Sequence, residues 1–516
     1  MSNKVADNLF RLIKSLTKAE KRYFKIYASR HTIGEINEYV HLFDLYDKQQ
    51  LFEEKSLMKE FIRSGTPNKY SITKTRLFDA VLKSLEMYHA NSSVEIELSR
   101  LLHTAEILFK KSLYDECFKA VVKAKKIAGQ NEKYASLLAI ARWEKKILEK
   151  DSYAAANESS IKELHENDKK TMQCIENYNE YWNLKSLLFL HLNKHGKARD
   201  TSQLDFFSKI INHPLLSDAG MALSFDARYL YYQIKYTYYF ARNDYENSYS
   251  YTMQMLKLLE GNAELIAKEP NRYFAVLSNM IYFCGRLKKQ KELPMYLAKL
   301  RALKDDLKEN MTEDIEVKLF STLYSSELSV CLEMGDYKKA LSLIPEIEKG
   351  LKLYGNKINF MRESFFCFNC AIVFFAENDF RKSLKWLNRL LNNSELDSGL
   401  DLYCMARILN LIIHIELGND ELLPYAFTST QRYLNKKNRT YKFETLMLNF
   451  IRVIMKTTDA AMQQKIYLEL SGNLQDLAND QFEKTVFEYF DFISWVQSKL
   501  NHQSFATTAL QKITAA

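Results

Sequence analysis

Only 13 glycines and 6 prolines occur in 516 residues. A chain at the usual frequencies, near ~7% Gly and ~5% Pro, would carry several times more of each. Tight turns between strands draw on those two residues, so an all-β or α/β fold would be starved of its turns. Leu, Lys, Glu and Ala are abundant and favour helix. A hydrophobic fraction of 47% fills a large core and argues against disorder. The expectation is an all-α chain.

One short pattern recurs within it. An apolar helix runs into a polar turn, an aromatic residue follows, and a small residue comes three positions later. Glu333-Met334-Gly335-Asp336-Tyr337-Lys338-Lys339-Ala340 is the clearest copy. Others are Glu377-Asn378-Asp379-Phe380-Arg381-Lys382-Ser383, Arg242-Asn243-Asp244-Tyr245-Glu246-Asn247-Ser248 and Lys111-Ser112-Leu113-Tyr114-Asp115-Glu116-Cys117. Weaker copies lie near Gly196, near Glu292 and at Leu417-Gly418-Asn419-Asp420. Gly or Asn ends the first helix in a left-handed conformation. Asp caps the second helix, and the small residue lets the two helices approach.

These turns resemble the tetratricopeptide repeat, whose hairpin turn reads Gly-Asp-Tyr-x-x-Ala. The resemblance covers roughly residues 95–460 and implies a solenoid of about eight or nine helical hairpins. Tyr337 and Phe380 lie 43 residues apart, against ~34 in the standard repeat, so the helices are expected to be longer. The expected organisation is an α-helical head over 1–90 and a repeat array over 91–478. An aromatic capping helix over 479–500 and a weakly ordered tail over 501–516 follow. Ends and repeats together are similar to uncharacterised bacterial repeat proteins, which adds no function.

No secretory leader or membrane span is read in the chain, and its seven cysteines are sparse and odd in number. That pattern fits reduced thiols in the cytoplasm. Cys367-Phe368-Asn369-Cys370 has the spacing of a zinc or redox site, but no second pair accompanies it and it lies in an apolar helix. His191 and His195 stand four apart without the glutamate of a zinc-protease motif. No phosphate loop or nucleophile elbow is present. A chain without metal, cofactor or catalytic residues is therefore expected.

Two features point to binding a protein or peptide instead, in a concave helical groove. Residues 229–240 hold six tyrosines, of which Tyr229, Tyr232, Tyr236 and Tyr239 are partner-binding candidates, because Tyr joins an apolar body to a polar tip. Asn279, Asn369 and Asn410 fall at about the same position before their turns, where tetratricopeptide proteins line the groove. An amide there can clamp an extended backbone.

The alternative is a DNA-binding regulator. Residues 1–30 carry eight Lys/Arg against two acids. A short helix over 54–62, a turn, and a second helix opening near Lys74 and Arg76 follow the order of a helix-turn-helix reader. This layout resembles bacterial peptide-responsive regulators, with Lys74 and Arg76 as the nucleic-acid contacts. Partner identity and oligomeric state do not follow from the residues.

Overall fold

The computed structural model describes residues 7–29, 37–63, 69–90, 93–150, 152–154, 156–307, 311–392 and 401–515. Among them it is all-α, with no strand. The chain divides into two compact units, residues 1–172 and 173–516. The boundary between the units falls inside residues 91–478.

The first unit holds α1 (Asn8–Ser15), α2 (Lys18–Ser29), α3 (Glu38–Lys48), α4 (Glu54–Arg63), α5 (Tyr70–Tyr88), α6 (Val94–Lys110), α7 (Tyr114–Gln130) and α8 (Tyr134–Lys150). Helices α1–α5 enclose Phe24, Phe43, Tyr46, Phe61 and Leu77. A smaller core of Leu98, Cys117, Val121 and Ile140 joins α6, α7 and α8. The head sequence also suggests helix breaks at Arg30–Gly34 and Arg63–Asn68, and these residues lie outside the described ones, save Arg63, which ends α4. Helix α9 (Glu158–His195) runs across the unit boundary.

The second unit contains α10 (Thr201–Ile211), α11 (Phe225–Ala241), α12 (Tyr245–Glu260), α13 (Ala263–Lys268), α14 (Pro270–Arg286), α15 (Leu293–Asp306), α16 (Glu313–Glu333) and α17 (Tyr337–Tyr354). It continues through α18 (Phe360–Ala376), α19 (Phe380–Leu391), α20 (Asp401–Glu416), α21 (Leu423–Lys436), α22 (Lys442–Ile454), α23 (Ala460–Asn479), α24 (Phe492–Leu500) and α25 (Phe505–Ala515). Each of α14, α16, α18 and α20 packs against the helix that follows it and against the next member of the series α14, α16, α18, α20, α22, and α22 packs against α23.

The turns show why. Asn243, Gly335 and Asn378 are all left-handed. The next residue, Asp244, Asp336 or Asp379, accepts a backbone N–H three positions on, at 3.1 Å in each case. Ser248, Ala340 and Ser383 follow at the same offset and are completely buried. The hydroxyls of Ser248 and Ser383 donate to the carbonyls of Tyr236 and Ala371, each twelve residues back, at 3.2 and 2.7 Å. One small residue thus sits where the two helices of a hairpin cross.

The C-terminus departs from expectation twice. Residues 479–500 are not one helix. Asp480 bonds the N–H of Phe482, a 3-10 turn covers Lys484–Glu488, and Asp491 caps α24 through Ser494 N–H. Aspartates at these positions restart helix rather than continue it. Residues 505–515 form a helix in place of a loose tail. Phe505 is 4% exposed and stacks on Phe490 at 5.1 Å.

Ser383→Leu should cost ~1–3 kcal/mol through overpacking, and Asp379→Ala about 1 kcal/mol through loss of the cap. Urea unfolding of both variants checks this. A neutral Ser383→Leu would mean that the helices do not cross at Ser383.

Candidate functional site

Gly196, at the end of α9, has φ +76°, and a Cβ on it would overlap the Asp401 carboxylate. The strap that follows, Lys197-Ala198-Arg199, buries both of its cations. Arg199 is 5% exposed and donates to Glu444 at 2.5 and 3.1 Å and to Glu483 at 2.5 Å. Its guanidinium lies over the Tyr441 ring. Burial works against the Arg199 charge, but Glu444 and Glu483 overcome it and hold the group above its ordinary range. Glu483 also accepts the N–H groups of Lys442 and Phe443 and so caps α22.

Lys197 donates to the Tyr245 hydroxyl and to Glu488, both at 2.7 Å, above the Phe240 ring. Glu488 also accepts from the hydroxyls of Tyr245 and Tyr282. Burial pushes its carboxyl up, yet Lys197 and Arg286 hold it below the usual range. Arg286 lies 3.7 Å from Glu333, whose carboxylate packs where a Cβ on Gly285 would be. Burial pushes Glu333 up to about 7, with Arg286 opposing and Glu488 adding to the shift. Arg439 pairs with Asp401 at 2.9 Å. Cations and carboxylates alternate through this cluster, which is the arrangement of a clamp.

The tyrosine candidates separate. Tyr229 is buried beneath Arg272. Tyr232 is partly buried edge-on to Tyr231. Tyr236 packs on Phe283; burial raises its hydroxyl, and neighbouring side chains including Asn279 bond to it. Tyr239 stacks on Tyr251 at 5.5 Å and lines an open cleft of about 430 Å³. His213, Ser217, Lys235 and Tyr238 share this cleft, and burial lowers the Lys235 ammonium.

The asparagines separate too. Asn279 and Asn369 each precede the left-handed residue of their turn, Lys288 or Asn378, by nine positions. Asn410 precedes Gly418 by eight, about the same position, and is turned by about 100° from the other two. Asn369 and Asn410 are each 8% exposed. Beside Asn369, Phe368 and Phe375 carry the chain's own Tyr489 and Phe490.

Lys74 is engaged by Asp7 at 2.5 Å and Glu54 at 2.7 Å, and Arg76 is exposed. All seven cysteines are free, and six are buried. Burial pushes Cys367 up to about 12 and Cys370 well above its ordinary value. His191 stacks on Phe206, 4.0 Å between ring centres. Among the described residues no group of three or more His, Cys, Asp or Glu is placed to hold a metal ion. Nor is any helix there long and apolar enough to cross a membrane.

Comparison with protein-family models gives no match for the chain, and none of the curated proteins matches it.

Arg199→Ala should cost ~3–5 kcal/mol, because Glu444 and Glu483 would stay buried without their cation. Arg199→Met combined with Glu444→Met and Glu483→Gln should recover most of that loss in urea unfolding. Glu333 titrates higher in the folded chain than unfolded, so its stabilising contribution is present below its unfolded value of 4.5 and fades as pH rises through about 7. Glu333→Gln should therefore gain thermal stability relative to the unmodified protein between about pH 5 and pH 7.5. An unchanged difference across that range would contradict the assignment.

Proposed function

We propose that residues 173–516 form a tetratricopeptide-like solenoid, and that the protein is a non-enzymatic scaffold or adaptor for a peptide or protein segment. The recurrence of one hairpin carries this reading: a left-handed turn residue, an Asp cap and a buried small residue at fixed offsets, at Asn243, Gly335 and Asn378. Stacked hairpins of this kind generate a continuous groove along their first helices. Part of that groove is filled by the chain itself, since Tyr489, Phe490 and Phe505 cover α18. The partner then engages what is left open, the Tyr239 cleft and the first helices from α11 to the α16–α18 seam. Tyr238 and Tyr239 offer apolar area at low entropy cost, and Lys235 gains from an acceptor group.

Buried free cysteines fit a reducing compartment such as the cytoplasm. Of the two contacts expected in the DNA-binding alternative, Lys74 already has two carboxylate partners in the chain, and Arg76 is exposed.

Peptides selected on the immobilised protein from a random display library should bind Tyr239→Ala and Lys235→Ala about tenfold more weakly, in line with hot-spot aromatic and charged contacts. The variants' thermal midpoints should stay close to that of the unmodified protein. Failure to select any peptide, or equal affinity in both variants, would remove the cleft as the binding surface. Binding of duplex DNA with a steep salt dependence would support the alternative.

A further inference from the structure

Every seventh residue along one face of α11 and its C-cap is a cation: Arg228, Lys235 and Arg242. Seven residues are close to two helical turns, so the three form one row with steps of roughly 10 Å. A tyrosine pair stands in each interval, Tyr231-Tyr232 and then Tyr238-Tyr239. Lys235 lies over the Tyr231 ring, 5.6 Å from its centre, and Arg242 over the Tyr238 ring at 5.3 Å. Each leans back over the residue four positions before it, so the charged ends keep the spacing of the row. Arg228 and Arg242 are exposed and Lys235 is half-buried. Among the described residues none of the three is paired with a carboxylate. The aspartates of the same stretch are engaged otherwise: Asp226 holds Arg272, Asp218 accepts the Gly220 N–H, and Asp244 caps α12 through Asn247.

The cleft beside Lys235 has the same bias. Its walls are the end of α10, the 3-10 turn at Pro214–Leu216, and Tyr238 and Tyr239, and among the described residues no carboxylate lines it. His213 accepts the Leu215 N–H on Nδ1 at 3.3 Å, which leaves Nε2 as the nitrogen that carries a proton. The Tyr238 oxygen accepts from Arg242, which leaves the hydroxyl its own proton to give. With the Lys235 ammonium, three donor side chains stand beside the apolar Ile211 and Leu216. Such a lining complements a partner that brings negative charge next to an apolar side chain. It suits nucleic acid poorly. Tyr231 and Tyr238 are 5% and 6% exposed, and Tyr239 is stacked on Tyr251, so the rings lack the open faces on which bases stack.

We propose that this face of α11 docks an acidic peptide segment, in which two carboxylates about three residues apart meet Lys235 and Arg242 and an apolar side chain between them enters the Tyr239 cleft. Three residues of extended chain span roughly 10 Å, the step of the cation row. Arg228 continues the row and takes an acid further along the segment. The inference rests on the peptide-binding reading above and specifies the chemistry of the partner.

Peptides selected on the full-length protein should be enriched in pairs of Asp or Glu three apart, with an apolar residue between. For one such peptide, Arg228→Gln and Arg242→Gln should each weaken binding about two- to fivefold, as loss of an exposed ion pair does, and Lys235→Gln about tenfold. Affinity should fall as salt is raised, because the pairs are partly open to solvent. Changing the peptide's two acids to Gln should weaken binding to the unmodified protein, with little further loss in the Lys235→Gln, Arg242→Gln double variant. A peptide with Lys in place of one acid should bind Arg242→Glu better than it binds the unmodified protein. Thermal midpoints of the Arg228 and Arg242 variants should stay close to that of the unmodified protein, since both side chains are exposed. Selected peptides that lose affinity in Tyr239→Ala but carry no excess of acids, and are indifferent to the three cation variants, would overturn this inference and leave the peptide-binding reading standing. Failure to select any peptide would overturn both. Retention of a single-stranded oligonucleotide that is lost in the same cation variants, with no selected peptide, would assign the row to nucleic acid instead.

Discussion

Lys197 and Arg199, two residues apart on one short strap, hold carboxylates 245 to 291 positions further along the chain. Hairpin arrays are ordinarily held by contacts between neighbours, with stability accumulating locally. This clamp breaks that locality. Its net contribution to stability is small, because removing Arg199, Glu444 and Glu483 from water costs several kcal/mol per ion and the pairing largely repays it. Its effect is on selection among arrangements. Any packing that leaves one of these charges buried and unpaired is penalised heavily, so the strap docks in one place.

The rest of the C-terminal region follows from that docking. Glu483 does two jobs, accepting from Arg199 and capping α22, so the position of the strap and the start of α22 are fixed together. Glu488 anchors the end of the 3-10 turn, which delivers Tyr489 and Phe490 onto Phe368 and Phe375. Phe505 then packs on both Phe490 and Phe375. Trp495, 1% exposed, reaches Glu416 through its indole N–H. This segment shares one apolar core with α16–α22 and is part of the folded body, not a lid over it.

What was legible in the sequence was local chemistry. The turns at Asn243, Gly335 and Asn378 could be read because a left-handed residue, a capping Asp and a small residue leave their mark within six positions. The clamp left no comparable mark. Lys197 and Arg199 look like ordinary solvated charges, and their partners are hundreds of residues away. Residues 505–515 carry only a short apolar signal, Phe505 and Ala509 beside Thr508 on one buried face, which is weak in the sequence until the Phe490 ring is there to cover it. The tyrosines of α11 could not be sorted from the sequence, since Tyr229 and Tyr239 are the same residue type on one helix and only the neighbours decide which is buried. The turns after Asn279 and Asn410 lack the Asp-aromatic pair, since α15 opens with Leu293-Pro294 and α21 with Leu423-Pro424, so the sequence places these two asparagines only to within about a residue.

Charge placement also bears on the binding proposed above. A clamp closed by the chain's own ions fixes how the first helices sit relative to each other before any partner arrives. The strap is tied to α11 through Ala198 N–H on the Ala241 carbonyl, at 2.9 Å, and to α22 through Glu444. The Tyr239 cleft, on α11, and the α16–α18 seam lie between those two anchors in the chain, and the hairpins that carry them are linked through α12 on α14, α14 on α16 and α16 on α18. Preorganisation of this kind removes the ordering cost that a loose array would incur on binding.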